Sequence, residues 1–184
     1  MKVGILGFQG AIEEHEKILS EYGISTIRIK RKDDFQNIDK LIIPGGESTV
    51  MRKFLIEYGL KKLFKETAAH IPVWGICAGS IILSKKVDDK FNNLGIIDVN
   101  IKRNAYGRQI NSSIKNIDIS KLGISNYRGV FIRAPKIIGF KDDIISLGMY
   151  EDEHVFLQKD NIMLTTFHPE LTDDRRIYNH FLSI

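Results

Sequence analysis

The sequence predicts an α/β fold in which helices cover both faces of a mixed central sheet. Two observations lead to this prediction. Short apolar runs alternate with amphipathic stretches through the first half of the chain, which is typical of parallel strands joined by helices. After Leu94 the rhythm changes, and strand-like runs follow one another with few helical stretches between them. That second pattern indicates antiparallel additions to the sheet and its last strands.

The first half predicts four strands, which are short, apolar and often β-branched: 2–8, Ser25–Ile29, Lys40–Ile43 and 71–76. Apolar residues at helical spacing predict helices over 11–22, 48–58 and 61–69. The first of these helices carries His15 on its apolar face and ends at Gly23. Ser48 or Thr49 is expected to cap the second helix. An apolar stretch to Leu83 follows the fourth strand and is expected to open as a helix.

The second half predicts mainly strands, at 96–101, Ser112–Ile119, 130–132, 144–150, 155–157 and 162–167. An amphipathic stretch at 174–182 predicts a closing helix. No internal repeat or low-complexity segment interrupts the chain, so we expect one domain over 1–184.

Composition excludes several classes of function. The chain has 184 residues, 43% of them hydrophobic, and a net charge of +4 without a dense Lys/Arg block, so a nucleic-acid-binding surface is not indicated. A single cysteine excludes an internal disulfide and a zinc site built on several cysteines. The apolar start is too short for a signal peptide, and no run reaches the length of a membrane span. We therefore expect a soluble, cytoplasmic protein.

A glycine-flanked cysteine lies where a buried strand is predicted to turn into a helix. Gly75 and Gly79 bracket Cys77 with the spacing of a nucleophile elbow in which cysteine replaces serine. Such a tight turn forces strained dihedral angles on its central residue and needs glycine where backbone segments approach closely. The N-terminus of the following helix favours a thiolate over a thiol. The pattern favours a nucleophile over the inert buried thiol that a lone cysteine usually is.

A histidine and a carboxylate follow the last predicted strand. Pro169 biases His168 toward an extended conformation, in which His168 and Glu170 project to the same side. The carboxylate can then fix the imidazole tautomer while the second ring nitrogen faces a thiol. Alone, this tripeptide would more often be a surface charge pair. Together with the cysteine elbow it favours a Cys–His–carboxylate triad.

Two glycine-containing segments are candidate binding loops. Gly45 and Gly46 follow the third strand, where exposed backbone N–H groups suit an oxyanion or a carboxylate. The N-terminal glycines are spaced G-x-x-G-x-x-G, and no acidic residue ends the next strand, so dinucleotide binding is not favoured. The remaining histidines have no ligand-like spacing and are interpreted as surface or packing residues: His15, His70, His154 and His180. Lys85 and Lys86 are interpreted as loop charges.

Three motifs together resemble the class I, triad-type glutamine amidotransferases: Pro-Gly-Gly-Glu-Ser at 44–48, Cys-Ala-Gly at 77–79 and His-Pro-Glu at 168–170. Further motifs resemble the family of glutaminase subunits of pyridoxal 5′-phosphate synthase. They are Gly-Ile-Leu-Gly-Phe-Gln-Gly at 4–10, Arg-Asn-Ala-Tyr-Gly-Arg-Gln at 103–109, Phe-Ile-Arg-Ala-Pro at 131–135, and His-Pro-Glu-Leu-Thr at 168–172 with Asp174 and Arg176. The resemblance spans nearly the whole chain, and it implies a three-layer, flavodoxin-like fold.

The resemblance also implies roles for individual residues. Cys77 would attack the glutamine side-chain amide, His168 would transfer protons, and Glu170 would orient His168. Backbone N–H groups of Gly46 and Ala78 would hold the oxyanion. The residues that match the family's glutamine-binding positions are Gly46, Glu47, Ser48, Arg103, Ile132 and Arg133. Ser80 departs from the family pattern, which usually has a larger apolar residue there.

The implied activity is hydrolysis of L-glutamine to L-glutamate and ammonia, without a metal or cofactor. The ammonia would be channelled to a synthase subunit of a hetero-oligomer, and activity would be low until that subunit docks. The regions around Gln9 and 103–109 are the expected contact or gating surface. Alternatives are the glutaminase subunit of another amidotransferase, such as imidazole glycerol-phosphate synthase, a cysteine peptidase, or a non-catalytic redox-sensing module that uses Cys77.

Overall fold

In the computed structural model the described residues are 1–90, 94–103, 105 and 112–184. Within them the chain forms twelve strands and five α-helices. The helices are α1 (Ile12–Glu21), α2 (Ser48–Glu57), α3 (Lys61–Ala68), α4 (Ala78–Leu83) and α5 (Arg176–Ser183). The strands are β1 (Lys2–Leu6), β2 (Ser25–Ile29), β3 (Lys40–Ile43), β4 (Val73–Ile76), β5 (Ser84–Val87), β6 (Ile97–Lys102), β7 (Ser112–Ile119), β8 (Ile124–Ile132), β9 (Lys136–Phe140), β10 (Ile145–Tyr150), β11 (Glu153–Lys159) and β12 (Ile162–Thr165). Across the described ranges, no helix combines the length and apolar character needed to cross a membrane.

Nine of these strands form one mixed sheet in the order β2-β1-β3-β4-β12-β11-β10-β7-β8. The first five strands in that order pair in parallel, and the last four continue the sheet through antiparallel pairs. A smaller sheet has the order β5-β6-β9. The parallel strands β3, β4 and β12 therefore lie side by side, and their carboxyl ends meet at one edge.

Alternate residues of the parallel strands enter two separate hydrophobic clusters. In β3, for example, Leu41 and Ile43 belong to one cluster and Ile42 to the other. The first cluster includes residues of α2, α3 and α4, and the second includes residues of α1 and α5. Because neighbouring strand residues point to opposite faces, helices cover both faces of the sheet. The predicted fold class is confirmed.

Most predicted elements agree with the structure to within a few residues, but the second half contains more strand than expected. Strand β8 extends over Ile124–Ile132, whereas the sequence indicated only 130–132. Strands β5 and β9 were not predicted. Lys85, interpreted as a loop charge, lies in β5 and pairs with Asp98 at 2.7 Å. These strands carry many charged or exposed residues, which hides their periodicity.

Helix α4 begins in very close contact with the end of the sheet. A Cβ atom on Gly79 would lie 2.1 Å from the carbonyl oxygen of Ile43 in β3, and one on Gly75 would lie 2.8 Å from the backbone of Gly79. Only glycine lets the helix approach this closely. The predicted need for glycine on both sides of Cys77 is thus explained by packing between backbones.

Replacing Gly79 with alanine should destabilise the protein by about 1–3 kcal/mol, because the new methyl group would displace backbone rather than a movable side chain. Urea unfolding measures the change. Gly139→Ala is the matched control, since a Cβ there would meet nothing closer than 3.8 Å. Equal free energies of unfolding for the two variants would show that the contact is not limiting.

Candidate active site

Cys77 occupies the sharp turn between β4 and α4. Its dihedral angles are φ 48° and ψ −100°, and such a positive φ is uncommon for a residue with a side chain. The Cys77 N–H donates to the carbonyl of Thr165 in the neighbouring strand β12 at 2.8 Å. The strained turn predicted from the flanking glycines is confirmed. The side chain is largely buried, with 7% of the residue exposed.

Ser80 connects the first turn of α4 to strands β4 and β12 through hydrogen bonds. The residue is fully buried, and its hydroxyl lies 2.9 Å from the carbonyl oxygen of Gly75 and 2.8 Å from that of Thr165. The small polar side chain, which departs from the family pattern, therefore ties the helix to the ends of β4 and β12. A larger apolar side chain could not make these hydrogen bonds.

His168 and Glu170 lie side by side after β12. The His168 Nδ1 atom is 2.6 Å from Oε1 of Glu170, and both residues are buried. The chain between them turns into a short 3-10 helix at Pro169–Leu171, and the His168 N–H donates to the carbonyl of Val130 in β8 at 2.8 Å. The Cys77 thiol lies 3.7 Å from the Ile132 carbonyl oxygen, and its side chain also interacts electrostatically with His168. Since Nδ1 faces Glu170, Nε2 is the atom left for the thiol.

The imidazole of His168 and the carboxylate of Glu170 stabilise each other's charged forms. Burial alone would lower the pKa of His168, but its interactions with Cys77 and Glu170 raise it to about 10. Burial would raise the pKa of the Glu170 carboxyl, yet the hydrogen bond from His168 holds it below its ordinary value. The site thus favours a charged imidazole between a carboxylate and a sulfur atom.

The glycine turn after β3 packs directly against the imidazole. A Cβ on Gly45 would lie 2.4 Å from Cε1 of His168, so a side chain there would displace the ring. The turn is held from the other side by the segment after β1. Ala11 N–H donates to the Gly45 carbonyl at 3.3 Å, and the Gln9 side-chain amide donates to the Glu47 carbonyl at 2.6 Å.

The cap of helix α2 differs from the sequence prediction. Ser48 is the first residue of the helix, and Glu47 is the capping residue, with its carboxylate accepting from the Thr49 N–H at 3.1 Å. A carboxylate at a helix N-terminus satisfies a free N–H and interacts favourably with the helix dipole. Glu47 therefore caps the helix in place of the predicted Ser48 or Thr49.

One cavity of about 610 Å³ brings together every residue that the sequence singled out for the site. Its lining includes Gly46, Glu47, Ser48, Cys77, Ala78, Arg103, Ile132, Arg133, His168 and Glu170. Arg103 is held at the cavity by Asp88, whose Oδ2 is 2.7 Å from its Nε atom. The roles assigned to these residues stay predictions. Of the motif at 103–109, only Arg103 and Ala105 lie within the described residues.

Sequence reasoning missed two neighbours of this cavity. Asp88 carries no motif, and its contact with Arg103 arises only because β5 and β6 pair. His15 is fully buried and interacts electrostatically with Glu170 and His168, which is more than a packing role. Its position on the apolar face of α1 was the available signal. Over the part of the chain that the structure describes, no group of three or more His, Cys, Asp or Glu side chains could hold a metal ion.

Comparisons with known proteins agree with this geometry. The family model described as the SNO glutamine amidotransferase family matches residues 5–184. A protein of Caldanaerobacter subterraneus named pyridoxal 5′-phosphate synthase subunit PdxT is 44% identical, with 100% of this chain and 99% of that protein covered. A protein of the same name from Thermoplasma volcanium is 45% identical, with 100% and 94% covered.

Solved structures give the same result for the fold. A crystal structure described as a glutamine amidotransferase superimposes with a TM-score of 0.92 at 32% identity, covering 98% of this chain and 97% of that chain. A glutamine amidotransferase from Thermotoga maritima has a TM-score of 0.64 at 17% identity, covering 99% and 80%. The second likeness is in fold alone.

The raised pKa of His168 predicts how stability depends on pH. Because the folded pKa of about 10 exceeds the ordinary value of 6.5, the charged imidazole contributes its full stabilisation below pH 6.5. That contribution should be lost as the pH rises from 6.5 to about 10. We therefore expect the difference in unfolding free energy between the wild type and His168→Gln to shrink over this range.

Urea unfolding at several pH values between 6 and 10 tests this, and taking the difference cancels the titrating groups that do not interact with His168. His70→Gln serves as the control, because the His70 side chain is exposed and contacts only the Glu66 carbonyl among the hydrogen bonds described for it. A pH-independent difference for His168→Gln would contradict the charge assigned to its imidazole.

Proposed function

The chain belongs to the SNO glutamine amidotransferase family, and from this premise we propose that it hydrolyses L-glutamine to L-glutamate and ammonia, supplying ammonia for pyridoxal 5′-phosphate (vitamin B6) synthesis. The observation that carries the proposal is that Cys77, His168 and Glu170 line one cavity, where His168 is hydrogen-bonded to Glu170 and interacts electrostatically with Cys77. A nucleophile, a base and an orienting carboxylate in that order are the components of covalent acyl transfer.

In the first half of the reaction, the Cys77 sulfur attacks the side-chain amide carbon of glutamine. Nε2 of the charged imidazole already carries the proton, which passes to the leaving nitrogen, so that ammonia departs and a γ-glutamyl thioester remains. In the second half, water attacks the thioester and gives a proton to His168, the Cys77 sulfur leaves, and glutamate is released. Glu170 keeps Nδ1 of His168 protonated and Nε2 directed at the sulfur throughout.

Backbone N–H groups are proposed to stabilise the negative charge that develops on the amide oxygen. Ala78 is the first residue of α4, and its N–H therefore has no acceptor within the helix. Gly46 lies across the same cavity, in the turn after β3. Two such donors, aimed at one point in a water-poor site, are worth more than they would be in bulk water.

The rest of the cavity is proposed to bind the amino-acid end of glutamine. Arg103 and Arg133 suit the α-carboxylate, because a guanidinium donates paired hydrogen bonds to it. Glu47, with an exposed carboxylate at the rim, suits the α-ammonium group. Ser48 and the backbone of Ile132 complete the contact.

The ammonia is proposed to pass to a synthase subunit in a hetero-oligomer. The relatives named above are themselves called synthase subunits, which supports this. Low activity without that subunit would prevent futile loss of glutamine. The region around Gln9 is the proposed contact surface, because its side chain reaches the glycine turn of the site. The same names disfavour the imidazole glycerol-phosphate synthase, peptidase and redox-sensor alternatives.

Two further proposals concern the chain as a whole. Residues 1–184 are proposed to act as one glutamine amidotransferase domain, since both hydrophobic clusters flank a single sheet. A cytoplasmic location is proposed because a lone catalytic thiol works best where the surroundings keep it reduced.

Cys77→Ala should lower glutamine hydrolysis by about 10³-fold or more, because no other side chain can form the thioester. His168→Ala should lower kcat by roughly 10²–10⁴-fold. Ammonia release is measured with and without a synthase subunit, and the wild type should be markedly faster with it. His70→Ala is the matched histidine control and should behave as the wild type.

Ammonia release that survives Cys77→Ala would exclude the thioester mechanism. A wild-type rate that is the same with and without the synthase subunit would leave the mechanism intact but contradict the proposed latency.

Arg103→Gln should raise KM for glutamine about tenfold with little change in kcat, because a charged hydrogen bond to the substrate is lost before any chemistry occurs. Steady-state kinetics with the synthase subunit measures both constants. Arg128→Gln is the control, since Arg128 is an exposed arginine of β8 outside the cavity lining. A fall in kcat with an unchanged KM would contradict a role in substrate binding.

A further inference from the structure

Two buried side-chain atoms among the described residues have no hydrogen-bond partner. One belongs to the carboxylate of the proposed triad and the other to a histidine of α1. They are Nε2 of His15 and Oε2 of Glu170. Each belongs to a side chain whose other polar atom is firmly held. His15 Nδ1 lies 2.5 Å from the Tyr178 hydroxyl, and Glu170 Oε1 lies 2.6 Å from His168 Nδ1. A buried polar atom without a hydrogen bond costs free energy of folding, so these two atoms call for an explanation.

The two side chains belong to elements that pack together. Helix α1, which carries His15, contacts the 3-10 turn Pro169–Leu171, which carries Glu170. The His15 ring is fixed by aromatic neighbours, with centroid distances of 6.4 Å to Trp74 and 5.9 Å to Tyr178. His15 and Glu170 interact electrostatically across this contact.

The protonation of the His15 ring follows from its surroundings. Burial raises the pKa of Tyr178 well above its ordinary value, so its hydroxyl keeps its proton and is available to donate to Nδ1. Burial lowers the pKa of His15, and the nearby His168 lowers it further, although Glu170 and Glu14 act in the opposite direction. The ring is therefore neutral near pH 7 and carries one proton. The tautomer that satisfies both neighbours accepts from Tyr178 at Nδ1 and has its proton on Nε2, because the Glu170 carboxylate can only accept.

We propose that His15 is a positioning residue for the catalytic triad, which directs its Nε2–H at Oε2 of Glu170 and so completes a chain Tyr178–His15–Glu170–His168–Cys77. The inference rests on the proposed function and deepens it. A donor and an acceptor that lack other partners are complementary. Hydrogen bonds in unliganded catalytic sites are often long and tighten when substrate binds.

Holding both carboxylate oxygens has a chemical consequence. With Oε1 bound to His168 and Oε2 to His15, the Glu170 carboxylate cannot rotate away from the imidazole. It also stays ionised in a buried place, as the depressed pKa of Glu170 requires. A misplacement of reacting groups by about 1 Å can cost about 100-fold in rate, so losing this contact should lower activity by about 10–100-fold. Because His15 does not line the cavity, the effect should fall on kcat and not on glutamine binding.

Two polar replacements separate the two ring nitrogens. The side-chain amide of His15→Gln reaches the position of Nε2 and keeps a donor toward Glu170. The amide of His15→Asn reaches only the position of Nδ1 and keeps the contact with Tyr178. In the complex with a synthase subunit, we expect His15→Asn to lose roughly tenfold or more in kcat. His15→Gln should stay within about threefold of the wild type, and KM should change little in either variant.

Several outcomes would overturn the proposal. Equal kcat values for the two variants would show that no donor at Nε2 is needed, and a change confined to KM would assign His15 to substrate binding. His180→Asn controls for the loss of a half-buried histidine in α5 and should retain wild-type kcat. Cys77→Ala in the same assay separates the two proposals. If Cys77→Ala retains activity, the proposed function fails. If Cys77→Ala is inactive while both His15 variants keep the wild-type kcat, only the His15 proposal fails.

A measurement on the wild type decides the question even if the variants do not fold. Nitrogen-15 NMR of histidine-labelled protein, with His15 assigned through its contacts to the Tyr178 ring, reports the tautomer directly. The proposal requires a neutral ring protonated at Nε2 near pH 7. A ring protonated at Nδ1, or a charged ring, would overturn it.

Discussion

The close approach of helix α4 to the end of the sheet is the constraint on which the site depends. Gly79 lies against the Ile43 carbonyl, so the helix must start within one residue of the strand that precedes it. The chain can do this only by turning sharply at Cys77, at a positive φ that costs on the order of 1–3 kcal/mol. The hydrogen bonds of Cys77 and Ser80 to Thr165 hold this turn against the adjacent strand. Strain and packing together direct the sulfur into the cavity.

The sequence predicted the parallel half of the fold better than the antiparallel half, for a physical reason. Strands buried on both faces, such as β3 and β4, are continuous apolar runs with glycine at their ends, and their bounds were found to within two residues. Strand β8 interrupts its apolar residues with Ser125, Asn126, Arg128 and Gly129, and β5 contains two lysines, so neither has a regular apolar pattern. Their place is decided by pairing with the neighbouring strands β7 and β6, which a local pattern does not show.

The same distinction applies to the site. Cys77, His168 and Glu170 could be predicted because the local backbone dictates glycine and proline beside them. The position of His15 near Glu170 could not, since it arises because α1 packs against the turn Pro169–Leu171 at the other end of the chain. A buried carboxylate such as that of Glu170 needs hydrogen bonds on both oxygens as well as an oppositely charged neighbour. Such a network is assembled by the tertiary fold, and a single helix pattern reveals only that His15 faces inward.

The antiparallel half does more than extend the sheet, because it sets one wall of the site. The Val130 carbonyl in β8 accepts the His168 N–H at 2.8 Å, and two residues later the Ile132 carbonyl lies 3.7 Å from the Cys77 sulfur. Alternate residues of one strand thus hold His168 and approach Cys77. Displacing β8 by a single residue would turn these carbonyls to the other side of the strand and bring N–H groups to their place. A strand whose pattern was hardly visible in the sequence therefore helps to position both His168 and Cys77.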